Sequence, residues 1–221
     1  MNKPTETSSS STGRVREHFR AKAFSFDALY DEEHALQRTL RPGLFDRREL
    51  ALDVVREYDA PSVLDVGGGS ARVGELTLEN GAARYVDVDL SDTMLGLARA
   101  RLERFGDKVE LVQADFLTAP LEGPFDIALA LGYFDYIEDA AAHLRRIGEL
   151  TSGSMVASFP RWTWTKGPVR KLRYEVINNC PIFDYTEDGL KRLLADSGFA
   201  RTDIKVGKSG FLVRADRSPP A

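Results

Sequence analysis

The stretch that decides the fold is Val63-Leu64-Asp65-Val66-Gly67-Gly68-Gly69-Ser70. Val63 to Val66 is the short apolar run of a fully buried parallel strand. Three glycines follow at once, and a helical stretch begins near Ala71. A strand, a glycine turn and a helix N-terminus make a cradle in which a ligand approaches the backbone closely. Glycine suits such a turn because it takes positive φ cheaply. Asp65 places a carboxylate just before the turn. A dinucleotide fingerprint G-x-G-x-x-G would need a third glycine at position 72. Arg72 stands there and would crowd the helix against the strand. The spacing D-x-G-x-G is met instead by Asp65, Gly67 and Gly69.

Reading outward, Tyr85 to Asp89 is a second strand. Asp89 follows Gly67 by roughly the 20 positions expected of an acid that accepts from both ribose hydroxyls. Gln113-Ala114-Asp115-Phe116 ends a third strand, and Phe125 to Leu131 is a fourth that enters Gly132-Tyr133-Phe134. On these residues the chain resembles the class I S-adenosylmethionine-dependent methyltransferases. The resemblance implies S-adenosylmethionine as the cofactor. Its methionine part would lie at Asp65, Gly67, Gly68 and Gly69, its ribose at Asp89, and its adenine at Asp115, with Phe116 beside the ring. Leu90-Ser91-Asp92-Thr93-Met94-Leu95, read with Asp89, is similar to the family's D-x-S-x-x-M-L run and adds Leu90 and Met94 to the site. Leu131, at the end of the fourth strand, joins them. The chain departs from the family at Gly68, where many members carry Cys, and at Ala71, where many carry a third Gly.

Composition bounds the remaining classes. With 221 residues the chain can bury one sizeable core and is short for two. Its 43% hydrophobic and 29% charged residues suit a soluble globular protein. A net charge of −4 offers no global basic field, which disfavours nucleic acid as a partner. The single cysteine, Cys180, excludes an internal disulfide and fits a reducing compartment. Met1 to Gly13 has no apolar core of a secretory signal, and no run of about 18 apolar residues is present. A cytoplasmic location is expected. His18, His34 and His143 lack metal-ligand spacing and are read as surface or internally satisfied, with no metal expected.

Taken in order, residues 1–13 are polar and Ser/Thr-rich and read as a disordered tail. Residues 14–221 read as one domain, with 14–60 as N-terminal helices. Phe19, Ala23, Phe26 and Tyr30 fall on one helical face. The family resemblance makes that helix a lid over the cofactor, with Tyr30 touching it; plain core packing is the alternative. Arg41-Pro42-Gly43 breaks the chain, and Leu44 to Tyr58 is a helix leading to the first strand. Ala71 to Asn80, a helix capped by Ser91, and Glu138 to Leu150 alternate with the strands. That alternation implies a doubly wound, mostly parallel sheet covered on both faces. Ligands bind such sheets at the carboxyl ends of the strands. Ser154 to Phe159 is a fifth strand, Thr186 caps a last helix, and Thr202 to Val206 with Phe211 to Ala215 form a terminal antiparallel hairpin. The expected architecture is thus a Rossmann-like α/β fold of seven strands with an N-terminal helical lid.

The segment 161–185 is the expected substrate-side insert. Its first part carries Arg161, Lys166, Arg170, Lys171 and Arg173 with Trp162 and Trp164 and no acid. A solvated helix, a cap over an anionic or aromatic acceptor, and a basic face on a membrane surface all fit it. Tyr133, Asp135 and Tyr136 stand where the family's acceptor pocket begins; Tyr133, Tyr136, Arg161 and Trp162 are the candidate substrate residues. The layout is loosely similar to the magnesium-protoporphyrin O-methyltransferases, which implies a small-molecule methyl acceptor, by O-methylation. N-methylation of a small amine or sugar, and a catalytically silent cofactor-binding or scaffold subunit, are the alternatives. Gly132-Tyr133-Phe134-Asp135 replaces the Asn/Asp-Pro-Pro-Tyr motif of amino-methylating members, which argues against nucleobase or glutamine methylation. No His-Asp or metal constellation marks a base, so no catalytic residue is assigned.

Overall fold

The computed structural model describes residues 13–17, 42–162, 181–207 and 210–217. A seven-stranded sheet runs through it in the order β3-β2-β1-β4-β5-β7-β6. Strands β1 (Ser62–Val66), β2 (Arg84–Asp89), β3 (Val109–Gln113), β4 (Phe125–Ala130) and β5 (Thr151–Phe159) are all parallel. Strands β6 (Arg201–Val206) and β7 (Phe211–Asp216) pair antiparallel, and β7 docks antiparallel on β5. The strand order reverses between β1 and β4, and the glycine turn leaves the sheet at that point.

Period-two alternation divides the sheet's side chains between two cores. Leu64, Val66, Val86 and Val88 join Ala128, Met155 and Leu144 on one face. Val63, Tyr85, Ile127 and Leu129 meet the helices α1 (Pro42–Arg56), α2 (Arg72–Glu79) and α3 (Asp92–Leu102) on the other. Helices α4 (Ala140–Leu150) and α5 (Glu187–Ala195) cover the first face. By parity, Asp65, Asp87 and Asp89 fall on the same face as Val63 and Tyr85, beneath α1–α3.

Several boundaries shift from the sequence reading for local reasons. Helix α1 opens on Pro42, two residues before the expected start at Leu44, because proline is preorganised for a first helical position. Asp139 caps α4 by accepting from the Ala142 N–H, so the helix begins two residues later than expected. Strand β5 starts at Thr151, immediately after α4. Ser91 and Thr186 cap α3 and α5 as expected, accepting from Met94 N–H and Gly189 N–H. Gly13, assigned to the tail, begins a helical turn over 13–17. The lid face Phe19–Tyr30 and residues 163–180 of the insert lie outside the described residues.

Candidate cofactor site

The turn after β1 is held by β2 through three successive glycine amides. Gly67 N–H donates to the Val88 carbonyl at 2.8 Å, Gly68 N–H to Asp87 Oδ1 at 3.0 Å, and Gly69 N–H to Asp89 Oδ2 at 3.1 Å. Gly67 and Gly69 take φ of 70° and 63°, the left-handed region that favours glycine. Ala71 also sits there, at φ 55°, and the helix begins at the next residue. A Cβ on Gly69 would meet only Met94 Sδ, at 3.9 Å, leaving open room over the turn.

Asp89 is fixed from both sides, its Oδ1 accepting from Ser91 N–H at 2.8 Å. Burial raises its carboxyl to about 6, against the pull of the amides of Ser91, Gly69 and Leu90. Asp65 lies deeper, 3% exposed, and accepts from the Tyr85 hydroxyl at 2.8 Å. Burial and the Asp89 charge lift it to about 7, while the Tyr85 hydrogen bond and the Arg47 charge hold it down. Gly68 and Gly69 are thus bonded to Asp87 and Asp89, and Asp65 to Tyr85 of the same strand.

Further residues surround the turn. Asp115 is half-buried and caps the turn after β3 by accepting from Leu117 N–H at 2.9 Å. Met94 lies at the turn, with Leu90 and Leu131 half-buried. Tyr133 lies over the turn from the end of β4: a Cβ on Gly67 would stand 2.7 Å from its ring. Burial, with the charges of Asp115 and Asp89, pushes its phenol well above the usual range. It is thus a neutral hydroxyl near neutral pH. Phe116 is 3% exposed and packs edge-on to Tyr133 at 6.4 Å between centroids, with His143 stacked on it at 6.1 Å. His143 is satisfied, as expected, its Nδ1 donating to the Asp139 carbonyl at 2.8 Å, and burial lowers its basicity.

The substrate candidates gather on the next shelf outward. Tyr136 is half-buried in the loop after β4. Arg161 forms an isolated bridge with Tyr185, and Trp162 N–H donates to the Tyr185 carbonyl at 3.5 Å. The exit of the insert is in turn strapped to that loop: Phe183 N–H donates to the Asp135 carbonyl at 2.9 Å, and Tyr185 hydroxyl to the Phe134 carbonyl at 3.3 Å. Tyr30 lies outside the described residues.

Two residues escaped the sequence reading. Arg47 reaches from α1 to the end of β4, where a Cβ on Gly132 would stand 2.6 Å from its Nη1. No local pattern announces it, because its place depends on how α1 packs. Asp87, fully buried, grips Gly68. Its signal was present: an acid inside a buried strand, two positions before Asp89. Among the described residues no cluster of His, Cys, Asp or Glu could hold a metal ion, and no helix is long and apolar enough to cross a membrane.

The profile of a methyltransferase domain matches residues 63–152. A ribosomal protein L11 methyltransferase from Caldicellulosiruptor saccharolyticus is 30% identical over 107 residues, covering 48% of this chain and 35% of that protein. A demethylmenaquinone methyltransferase from Thermus thermophilus is 29% identical over 118 residues, 51% of this chain and 54% of its own length. The match thus spans only about a third to a half of these curated relatives. In structure, the chain is similar to magnesium protoporphyrin IX methyltransferase from Synechocystis with bound S-adenosylhomocysteine. The TM-score is 0.74 at 20% identity, over 94% of this chain and 100% of that one. It is also similar to 1,6-didemethyltoxoflavin-N1-methyltransferase from Burkholderia thailandensis, solved with its acceptor and S-adenosylhomocysteine: TM-score 0.68, 19% identity, 99% and 93% covered. Residues 63–152, with the glycine turn and its three aspartates, thus match the profile of a methyltransferase domain, and the chain shares the fold of magnesium protoporphyrin IX methyltransferase.

Proposed function

We propose that the chain transfers a methyl group from S-adenosylmethionine to a small-molecule acceptor, with oxygen as the acceptor atom. The observation that carries this reading is the glycine turn held by β2, with Asp89 at its rim and Asp115 half-buried at the end of β3. Asp65, Gly67, Gly68 and Gly69 would hold the methionine part, Asp89 the ribose, and Asp115 the adenine amine. Leu90, Met94 and Leu131 would supply apolar walls. The donor set fits: carboxylates accept from hydroxyls and amines, and nothing there demands a phosphate.

When bound, the cofactor supplies a methyl group on a positively charged sulfur, which is displaced in line. What the chain adds is placement, which can be worth several kcal/mol. Tyr133 closes the turn side of the site and can donate a hydrogen bond, but its raised phenol is no base near neutral pH. Arg161 and Trp162, tied to Tyr185 and so to the loop after β4, favour an anionic or aromatic acceptor. The fold is also shared with magnesium protoporphyrin IX methyltransferase, whose whole length aligns. Arg161 belongs to the basic run 161–173, so added salt should raise the acceptor's KM.

The test is formation of S-adenosylhomocysteine from S-adenosylmethionine with fractionated metabolites, beside calorimetry with S-adenosylhomocysteine and NAD. Binding of NAD alone would end the methyltransferase reading. Cofactor binding with no turnover on any fraction would favour the silent scaffold instead. Sedimentation with anionic vesicles, at unchanged acceptor KM, would move the basic insert to a membrane surface.

A further inference from the structure

Asp65 and Asp87 are direct neighbours across the β1–β2 ladder, in register and on the same face. Both are buried, at 3% and 0% exposure. Like charges placed this way repel, and among the described residues no cation bonds to Asp87. Its Oδ1 accepts from Gly68 N–H, while Oδ2 is buried with no partner among them. Gly68 makes the arrangement possible. A Cβ there would stand 2.8 Å from Asp87 Oδ1 and 2.9 Å from Asp65 Oδ2, so a side chain at this position does not fit.

We propose that Asp65 and Asp87 hold a single proton between them, and that Asp87, as a positioning residue, uses it to keep the glycine turn closed, making cofactor affinity depend on pH. A neutral carboxyl avoids the cost of a second buried charge while its other oxygen still accepts from the Gly68 amide. Loss of the proton leaves two buried anions flanking Gly68 and pushes the turn apart. The groups facing the pair are Tyr85 and Asp89 from β2, the turn amides, and Arg47 from α1. Among the described residues Arg47 opposes the negative charge, acting on Asp65. Burial first, then the Asp65 and Asp89 charges, hold Asp87 well above the usual carboxylate range, in line with a retained proton.

The sign follows from linkage. The folded state binds the proton more tightly than the unfolded chain, so this contribution to stability is full below about pH 4 and lost as pH rises through the folded-state value. Cofactor affinity should fall over the same range, by up to about tenfold per pH unit while one proton is released. Asp89 acts oppositely, since it must be ionised to accept from two hydroxyls. Affinity should therefore peak between an acid limb from Asp89 and an alkaline limb from the pair.

The inference rests on the cofactor reading above, and the experiment separates the two. Melting of the cofactor-free protein and calorimetry with S-adenosylhomocysteine are followed from pH 5 to 9 in the wild type and in Asp87→Asn. Asparagine keeps the acceptor for Gly68 and mimics the protonated acid. The variant should retain the acid limb, lose the alkaline limb beyond that of the ligand's own amine, and melt with a flatter pH slope. The same alkaline limb and the same melting slope in both proteins would overturn the proposal. Failure of S-adenosylhomocysteine to bind sinks the cofactor reading, while the melts still decide the proton. Should Asp87→Asn not fold, infrared spectra of the wild type suffice: a protonated-carboxyl stretch persisting at pH 7 supports the pair, and its absence refutes it.

Discussion

Asp87 and Asp216 are both buried acids on strands of one sheet, and their surroundings are opposite. Asp216 ends β7 at 4% exposure and accepts from Ser154 Oγ at 2.6 Å and Arg214 Nε at 3.0 Å. Arg214 in turn grips Glu57, in the turn that directly follows α1, with Nη1 at 2.6 Å and Nη2 at 2.7 Å. A fork of donors thus matches the charge, and α1 is fastened to the outer strands. Asp87 has one amide, and an acid for its neighbour. Burying a charge is tolerable when it is paired and bonded, and costly otherwise. The far end of the sheet uses its acids to hold elements together. The glycine-turn end leaves an acid under-satisfied, and such perturbed acids concentrate at functional sites.

The sharpest way to break this contrast is to disturb the turn's support. A Cβ at Gly74 of α2 would stand 2.2 Å from the Tyr85 ring, whose hydroxyl bonds Asp65. Gly74→Ala should destabilise by about 3 kcal/mol in urea titrations, at the upper end for overpacking. A change within experimental error would show that Tyr85 does not wedge the acids. Next comes Asp89→Ala, which removes an acceptor at the cradle's rim. It should weaken S-adenosylhomocysteine binding by about 1.5–3 kcal/mol with circular dichroism intact; an unaltered dissociation constant would misplace the ribose. At the other end, Asp216→Ala should lower stability by about 1–2 kcal/mol without moving cofactor affinity. If affinity falls too, the two ends are not independent. The smallest effect belongs to Glu57→Gln. Its side chain is 46% exposed, so chemical denaturation should register about 0.2–1 kcal/mol, shrinking further in added salt. A larger, salt-insensitive loss would make that pair part of the core.

Much of the site was legible because it is local. The D-x-G-x-G spacing, the Ser91 cap and the acid ending β2 each depend on residues a few positions apart, and each holds. Phe105 shows where spacing misleads: it continues the helical spacing of Leu95, Ala98 and Leu102, yet α3 ends at Leu102 and Phe105 lies in a 3-10 turn before Gly106. Asp87 was passed over because an apolar strand reading absorbs a single acid unless its neighbour across the ladder is known.

By itself the sequence determined the order of strands and helices, the glycine turn and the residues at its rim. Dihedral preference, alternation and capping act over one turn or one strand, and so can be read along the chain. Tertiary structure alone decided that Asp65 faces Asp87, that the Tyr133 ring covers Gly67, and that Arg47 of α1 reaches Gly132. Those contacts follow from strand register and from the packing of helices on a sheet face. Both are settled by long-range burial, which no stretch of sequence contains on its own.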